Sequence, residues 1–253
     1  MNKISKLARI CNSLKIGKNN FIGENVKIME NVIIGSNNKI YDNTIIYPNT
    51  IIGDNNIILN DNKIGELGVQ SNVNYEKFEF KYNGLEIGNN NFFHVNNIVF
   101  NGYIDKTIIG NNNKFLAENH IGHDTKIFNN VILYPRCISG GGSKLLNNSV
   151  MGFYSTIQQN RVIGSYSMIG AGNNISHNIF PFFIYFNNDY IRYNTHIIPE
   201  KFKINDFNLK EIIEKIKRDK FNENILDEIN QLPKFIKEPI IDFYENLGEN
   251  KKI

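Results

Sequence analysis

Two histidines and an aspartate lie close together near the middle of the chain, in the sequence His120-Ile121-Gly122-His123-Asp124. An imidazole has an unperturbed pKa near neutrality, so His123 could take a proton from a hydroxyl or an amine as a general base. The carboxylate of Asp124, its immediate neighbour, could orient the ring. The alternative interpretation is that both histidines are ordinary surface residues.

A six-residue repeat positions this segment. From Ile109 to Phe180 the first residue of every unit is large and apolar except Ser139, and glycine often follows it. Six is not a helical period, because residues six apart lie on different faces of an α-helix. A short repeat kept over many copies predicts a solenoid, in which each unit buries its apolar residue against its neighbours. The first positions are Ile109, Phe115, Ile121, Ile127, Leu133, Ser139, Leu145, Met151, Ile157, Ile163, Ile169 and Ile175.

Each unit is expected to form one short strand and one corner, and three units close a triangular coil. Residues 18 apart in the sequence should therefore stack, which places Gly141 next to His123 and Gln159 next to Gly141. Glycine at the second position is expected where a tight corner needs a backbone conformation that disfavours a Cβ. Asparagine pairs at corners tolerate left-handed backbone nearly as well.

An earlier block of the same repeat begins at Ile16, after a lead-in over residues 1–15. The repeat is interrupted at residues 66–86 and again at 100–108, which we interpret as two excursions from the coil. Long loops on a rigid scaffold often carry function.

After Pro181 the repeat ends, and apolar residues recur at helical spacing behind Asn208. We therefore predict an all-β solenoid domain over residues 1–185 and an α-helical domain over 186–253. The helical domain would cap the open end of the solenoid, which otherwise exposes unpaired strand edges.

Composition excludes several classes of protein. The chain has 253 residues, a net charge of +3 and 41% hydrophobic residues, and its basic residues are dispersed, so no nucleic-acid partner is expected. Cys11 and Cys137 have no metal-binding spacing, which favours a reduced, cytoplasmic location. No apolar run is long enough for a membrane span, and residues 1–14 lack the apolar run of a signal peptide.

The chain resembles the UDP-N-acetylglucosamine acyltransferase family, which starts lipid A synthesis. That family carries His-Ile-Ala-His-Asp where residues 120–124 read His-Ile-Gly-His-Asp, and the segment Ile64-Gly65-Glu66 matches the start of its first excursion. The resemblance implies a left-handed parallel β-helix of hexapeptide repeats. It also implies that His123 is the catalytic base, that Asp124 is its partner, and that the N–H of Gly140 stabilises the oxyanion.

The resemblance further implies the substrate contacts. Gln159 would hold the nucleotide sugar, and Asn194 corresponds to a family asparagine that precedes the helical domain. Ala171 takes the place of a glycine that sets acyl-chain length, so its methyl group predicts a shorter chain. The predicted substrate-binding residues are His120, Gly141, Gln158, Gln159, Ala171 and Asn194.

The implied reaction is direct acyl transfer from a thioester of acyl carrier protein or CoA to a sugar hydroxyl. The resemblance implies no metal and no permanently bound cofactor. Members of the family are trimers with sites between adjacent solenoids, so a homotrimer is expected.

The sequence departs from the family pattern at positions where the family binds its substrate. Histidines of the family are replaced by Gly141 and Gln158, and an arginine pair by Glu200 and Lys201. His196 replaces a glutamate, and residues 100–103 replace a His-Arg-Gly-Thr segment. The resemblance therefore implies that catalysis is retained and that substrate binding is altered.

Four alternatives stay open on the sequence alone. The first is an N-acyltransferase that uses acetyl-CoA and a nucleotide-linked amino sugar, since an amine is the better nucleophile. The second is a γ-class carbonic anhydrase, whose zinc would need three histidines from adjacent chains. His94, His120 and His123 are candidates, although the spacing of His120 and His123 does not match that class. The third is an ice-binding solenoid, although the sequence has no threonine ladder. The fourth is an inactive paralogue.

Overall fold

The computed structural model of the protein describes residues 1–68, 82–219 and 223–247. In these residues a parallel β-solenoid is followed by three helices, α1 (Leu209–Asp219), α2 (Glu223–Asn230) and α3 (Lys234–Asn246). The solenoid strands form three long faces, which we call sheets A, B and C. The predicted parallel solenoid with C-terminal helices is confirmed at this level.

Sheet A contains β1 (Lys3–Ile4), β4 (Phe21–Ile22), β7 (Lys39–Ile40), β10 (Ile57–Ile58), β13 (Phe92–Phe93), β16 (Lys114–Phe115), β19 (Ile132–Leu133), β22 (Val150–Met151), β25 (Met168–Ile169), β27 (Phe183–Phe186) and β28 (Asp189–Tyr193). Sheet B contains β2 (Arg9–Ile10), β5 (Lys27–Ile28), β8 (Ile45–Ile46), β11 (Lys63–Glu66), β14 (Ile98–Phe100), β17 (His120–Ile121), β20 (Ile138–Ser139), β23 (Thr156–Ile157) and β26 (Asn174–Ile175). Sheet C contains β3 (Lys15–Ile16), β6 (Ile33–Ile34), β9 (Thr50–Ile52), β12 (Leu85–Ile87), β15 (Thr107–Ile109), β18 (Lys126–Ile127), β21 (Lys144–Leu145) and β24 (Val162–Ile163).

The register of the strands follows the 18-residue spacing. Ile121 of β17 lies opposite Ser139 of β20, which in turn lies opposite Ile157 of β23, and all these pairs are parallel. First-position side chains point inward, and Ile121 and Phe115 are fully buried. Burial of an apolar side chain in every unit stabilises each coil only against its neighbours.

Buried asparagines form a polar ladder inside one corner. The Oδ1 of Asn38 accepts a hydrogen bond from the N–H of Asn56 at 2.8 Å. In the same way, Oδ1 of Asn56 accepts from the N–H of Asn91 at 2.8 Å, and Oδ1 of Asn91 accepts from the N–H of Asn113 at 2.9 Å. These bonds satisfy polar groups that would otherwise be costly to bury. The ladder explains why the repeat tolerates asparagine so often at an inward position.

The prediction that second-position glycines take a left-handed backbone holds at Gly65, whose φ is 86°, and is wrong for the other second-position glycines of the described residues. In those units the left-handed residue is at the fourth position, as at Asn55 with a φ of 59° and Asp124 with a φ of 62°. Glycine at the second position is explained instead by the closeness of the next coil. A Cβ on Gly122 would lie 2.7 Å from both the backbone nitrogen of Gly141 and the carbonyl oxygen of Ser139.

The repeat starts earlier than predicted, because β1 and β2 lie within the expected lead-in and pair with β4 and β5. The predicted excursions 66–86 and 100–108 are also too wide. Their edge residues belong to β11, β12, β14 and β15, which leaves 67–68, 82–84 and 101–106 of the described residues outside the strands. Of the first excursion, residues 69–81 lie outside the described residues.

The solenoid does not end at the predicted boundary between residues 185 and 186. Strand β27 continues to Phe186, and β28 folds back on it as an antiparallel partner. Lys144 ties the helices to the solenoid, since its Nζ donates to the carbonyl of Asn246 at 2.9 Å. None of the helices in the described ranges is long and apolar enough to cross a membrane.

Candidate active site

The segments that leave and rejoin the coil between sheets B and C form one continuous edge of the molecule. We call it the B–C edge, and its corner segments within the described residues are 67–68 with 82–84, 101–106, 122–125, 140–143 and 158–161. His123 and Asp124 lie in the middle of this edge. Both excursions and the glycines predicted for the site therefore belong to the same corner as the histidine.

His123 and Asp124 form a close pair. The Nδ1 of His123 lies 2.7 Å from Oδ2 of Asp124, and the two side chains are only 17% and 10% exposed. Asp124 has left-handed backbone, which aspartate tolerates better than most residues, and its own N–H donates to Oγ1 of Thr107 at 2.9 Å. The corner thus holds two consecutive side chains against each other.

The second oxygen of Asp124 is held by the 101–106 loop. Its Oδ1 accepts backbone N–H groups from Tyr103 at 2.8 Å, Ile104 at 3.0 Å and Asp105 at 2.9 Å. Three converging N–H donors hold this carboxylate in place. With Oδ2 as the acceptor of a hydrogen bond from Nδ1–H, the tautomer of His123 leaves its Nε2 lone pair available as a base.

Gly141 and Gln159 stack above His123, as the spacing predicted. The N–H of Gly142 donates to the His123 carbonyl at 2.8 Å, and that of Asn160 donates to the Gly141 carbonyl at 3.0 Å. A Cβ at Gly141 would lie 2.7 Å from Cε1 and 2.8 Å from Nε2 of His123. The imidazole therefore occupies the space that any side chain at position 141 would need.

The prediction that the N–H of Gly140 is the oxyanion donor is corrected by the structure. The N–H of Gly140 is already used, because it donates to the carbonyl of Ile157 at 2.9 Å in the coil ladder. A backbone N–H is a single donor, so it is not free for an acyl oxygen in this arrangement. None of the hydrogen bonds formed within the described ranges uses the N–H of Gly141, which lies beside the imidazole.

A shallow groove of about 410 Å³ runs along sheet B beside these corners. Gly140, Gln158 and Gln159 line it together with Thr156 and Asn174. Both glutamines are exposed. The structure therefore brings three of the predicted site residues into one groove, with Gly140 one coil above His123 and Gln158 and Gln159 two coils above it.

His120 lies on the outer face of sheet B, and His123 lies in the corner that follows β17. His120 points outward beside Ile138, a residue that lines the groove, and its ring lies 4.7 Å from the ring of Phe100, although the residue as a whole is exposed. Desolvation by burial lowers the pKa of His120 from its ordinary value of 6.5. His120 is therefore next to the groove, on a different element from His123.

Asn194 is not brought to the site, in contrast to the prediction. It is fully buried, with Nδ2 donating to the carbonyl of Tyr166 at 3.1 Å and its N–H donating to that of Phe182 at 2.8 Å. These bonds hold the junction between the last coils and the C-terminal region. Its position in the core makes Asn194 a structural residue in this chain.

Ala171 lies on another edge of the coil, between sheets A and B. It is exposed, and Phe153 lies one coil below it, with the N–H of Gly172 donating to the Phe153 carbonyl at 2.8 Å. The ring of Phe153 is itself 46% exposed and lies 4.9 Å from the ring of Tyr134. Within one chain, Ala171 and His123 are therefore on different edges.

Sequence reasoning missed the residues that surround His123 from the excursions. The ring of Tyr103 lies 5.9 Å from the imidazole, and a Cβ at Gly68 would lie 2.8 Å from Cβ of His123. The excursions also bind each other, since Nδ2 of Asn83 donates to the carbonyl of Tyr103 at 2.6 Å and the N–H of Gly84 to Oδ1 of Asn101 at 2.7 Å. The resemblance marked residues 100–103 as a departure from the family pattern, but neither it nor the repeat indicated that Tyr103 and Gly68 lie against His123.

In the described ranges, no group of three or more histidines, cysteines or acidic residues could hold a metal ion. His94, His120 and His123 are therefore not assembled as a zinc site within this part of the chain.

Comparison with known proteins places this site in context. Residues 10–46 match the family described as Bacterial transferase hexapeptide (six repeats). An acyl-[acyl-carrier-protein]–UDP-N-acetylglucosamine O-acyltransferase of Sinorhizobium fredii is 32% identical over 76 residues, which are 30% of this chain and 28% of that protein. The enzyme of the same name from Nautilia profundicola is 38% identical over 116 residues, 43% of this chain and 45% of that protein. The alignments thus span less than half of these relatives.

The solved structures extend the likeness to the whole chain. A UDP-N-acetylglucosamine acyltransferase from Bacteroides fragilis is 28% identical, covers 99% of both chains and has a TM-score of 0.71. Over its whole length the chain is therefore similar to the UDP-N-acetylglucosamine acyltransferases. The family resemblance predicted from the His-Ile-Gly-His-Asp segment is confirmed. The Campylobacter jejuni acyltransferase has a TM-score of 0.81 at 22% identity over 99% of this chain and 98% of that one, which shows the shared fold.

Proposed function

We propose that this chain, which is similar to the acyltransferases, transfers an acyl group from a carrier thioester to a nucleotide-linked sugar. The proposed acceptor is UDP-N-acetylglucosamine or a close relative of it. The observation that carries the proposal is the contact of His123 Nδ1 with Asp124, which leaves Nε2 as a base. The names of the relatives support the reaction class and the substrate.

In the proposed reaction the sugar hydroxyl oxygen attacks the thioester carbonyl while its proton passes to Nε2 of His123. The tetrahedral intermediate then collapses, the carbon–sulfur bond breaks, and the leaving sulfur takes the proton from the imidazolium. Asp124 stabilises that imidazolium while it exists. The N–H of Gly141, rather than that of Gly140, is the donor placed to stabilise the oxyanion.

We also propose that the coil is left-handed and that the protein is a homotrimer acting in the cytoplasm. The trimer explains why Ala171 and His123 lie on different edges, since an edge of one chain can face the B–C edge of its neighbour. Exposed apolar side chains near these edges support a protein partner, as with Ile138 and Phe153, each 46% exposed, and Ile104, 73% exposed. Sedimentation analysis of the purified chain tests the trimer.

Thiol release tests the proposed reaction. The purified protein would be given acyl carrier protein and CoA thioesters of several lengths, each with UDP-N-acetylglucosamine. We expect turnover that is lost in His123→Ala and kept in the control His177→Ala. His177 follows β26 in the last coil, and its ring lies 5.1 Å from that of Tyr185 in β27. Absence of thiol release with every donor and acceptor would contradict the proposal.

N-acylation of a nucleotide-linked amino sugar is the second candidate. The observation in its favour is that the position beside Nε2 is a glycine, Gly141, so few polar side chains surround the base. A neutral amine needs less activation than a hydroxyl. Turnover only with acceptors that carry a free amine would decide for this candidate.

A further inference from the structure

A continuous chain of polar contacts leads from a lysine to the imidazole of His123. The Nζ of Lys126 lies 2.8 Å from Oδ2 of Asp105 and also donates to the carbonyl of Lys106. The N–H of Asp105 donates to Oδ1 of Asp124 at 2.9 Å, and Oδ2 of Asp124 meets Nδ1 of His123 at 2.7 Å. Lys126 thus holds the end of the loop whose N–H groups hold the carboxylate.

The surroundings of Lys126 favour its contact with Asp105. It lies on β18, directly opposite Lys144 of β21, so two like charges are neighbours on one face of sheet C. The Lys126 side chain is 21% exposed, whereas Asp105 is 70% exposed. The lysine bends toward the loop instead of extending into solvent, and its hydrogen bond with Asp105 lowers the pKa of that carboxyl.

The loop depends on such anchors because it is short and irregular. Residues 101–106 form no strand, and three successive N–H groups point at one carboxylate oxygen. That arrangement holds only while the loop keeps its place against the corner. If the loop moves away, Oδ1 of Asp124 turns to water and the contact with Nδ1 loses its support.

We propose that Lys126 is a positioning residue for the base, acting through Asp105 and Asp124 to keep His123 in the Nδ1–H tautomer. This inference rests on the proposed function for its catalytic meaning. Its structural content, the tautomer of His123, can be measured without any substrate.

The test uses the full chain with ¹⁵N-labelled histidine. Its five histidines are distinguishable by long-range ¹H–¹⁵N spectra, and His123→Ala assigns the relevant signal. The variants are Lys126→Met, Lys126→Arg and Asp105→Asn, and the control is Lys144→Met on the next strand of sheet C. We expect Lys126→Met and Asp105→Asn to shift His123 toward the Nε2–H tautomer, and Lys126→Arg and Lys144→Met to keep the original signal.

Kinetics supply the second readout. We expect kcat of Lys126→Met to fall about 100-fold, since a displaced base loses its productive geometry, while KM changes little. Lys126→Arg should restore kcat. An unchanged tautomer in both Lys126→Met and Asp105→Asn would overturn the inference. If the unmodified protein is inactive with every substrate pair, the proposed function fails, and the spectra still decide the role of Lys126.

Discussion

The Nε2 edge of His123 faces Gly141, so closely that a Cβ on the glycine would lie 2.8 Å from that nitrogen. Gly141 also carries the N–H that is free of the coil ladder. The proposed base and the proposed oxyanion donor are therefore on adjacent coils at one point of the B–C edge. The absence of a side chain at position 141 is a requirement of this geometry.

Gly141→Ala should therefore displace the imidazole. We expect kcat to fall by about 100-fold, because a misplacement of about 1 Å at the base is enough for such a loss. The backbone of Gly141 is not left-handed, so alanine adds no strain of that kind. Steady-state kinetics with the acceptor identified by thiol release measure the effect.

Gly172→Ala is the matched control for this prediction. Its φ is 72° and no atom lies within 4 Å of the added Cβ, so the change strains the backbone by about 1 kcal/mol without touching His123. We expect a lower Tm and an unchanged kcat. Equal kinetic losses in both variants would show that the loss does not depend on contact with the imidazole.

Asp124→Asn should invert the tautomer of His123. The three N–H donors of the 101–106 loop will keep the amide oxygen, which turns the NH₂ group toward Nδ1. Nδ1 then accepts a hydrogen bond and Nε2 becomes protonated, so the base is lost. By analogy with the serine-protease aspartate, we expect kcat to fall by about 10³-fold to 10⁴-fold.

Histidine spectra and thermal unfolding of Asp124→Asn check this explanation. The spectra should show the Nε2–H form of His123, and the Tm should stay near that of the unmodified protein because the loop contacts persist. A large fall in Tm would instead indicate that the loop had detached. Retention of the Nδ1–H form together with full activity would contradict the role given to Asp124.

Regular features of the solenoid were predictable from the sequence, and contacts of its irregular segments were not. The 18-residue period placed Gly141 on His123 and Gln159 on Gly141 because no excursion interrupts the coils between these residues. The same regularity explains the error at Gly140, since second-position N–H groups such as that of Gly122 also donate to the next coil.

The 101–106 loop lacks a repeat, so nothing in its spacing showed that its N–H groups converge on Asp124. Asn194 was placed by resemblance alone, and the resemblance did not show that it is buried. Lys126 follows the repeat as an ordinary outward residue. Its contact with Asp105 arises from the fold of the loop, which periodicity does not describe.

His120 should make the stability of the protein depend on pH. Desolvation lowers its pKa in the folded state, so the unfolded chain binds a proton at a higher pH than the folded one. The free energy of unfolding is therefore unaffected by this group well above pH 6.5, and it decreases as the pH falls below that value toward the lowered pKa.

Urea unfolding of the unmodified protein and His120→Phe, at about pH 7.5 and about pH 5.5, measures this contribution by linkage. Phenylalanine keeps a ring beside Phe100 and removes the titrating group. We expect the unmodified protein to lose more stability than the variant between the two pH values. Parallel losses in the two proteins would show that His120 does not titrate differently in the folded state.

The A–B edge should determine acyl-chain length if the proposed trimer brings it to the site. Ala171 and Phe153 stack there on successive coils, and Phe153 presents a half-exposed ring. Removal of the methyl group in Ala171→Gly, or of the ring in Phe153→Ala, enlarges the space beside a bound chain. We expect both variants to shift the preferred donor to a longer thioester, and Phe153→Ala by the larger amount.

Competition between donors of different length, with one acceptor, measures the ratio of their kcat/KM values. One buried methylene contributes about 0.8 kcal/mol, so the ratio for donors that differ by two carbons should change about tenfold. Tyr154→Ala is the control, because its ring is exposed on the same corner but lies against Arg136 instead of Ala171. An unchanged preference in Ala171→Gly and Phe153→Ala, in a protein that forms trimers, would place the acyl chain on another edge.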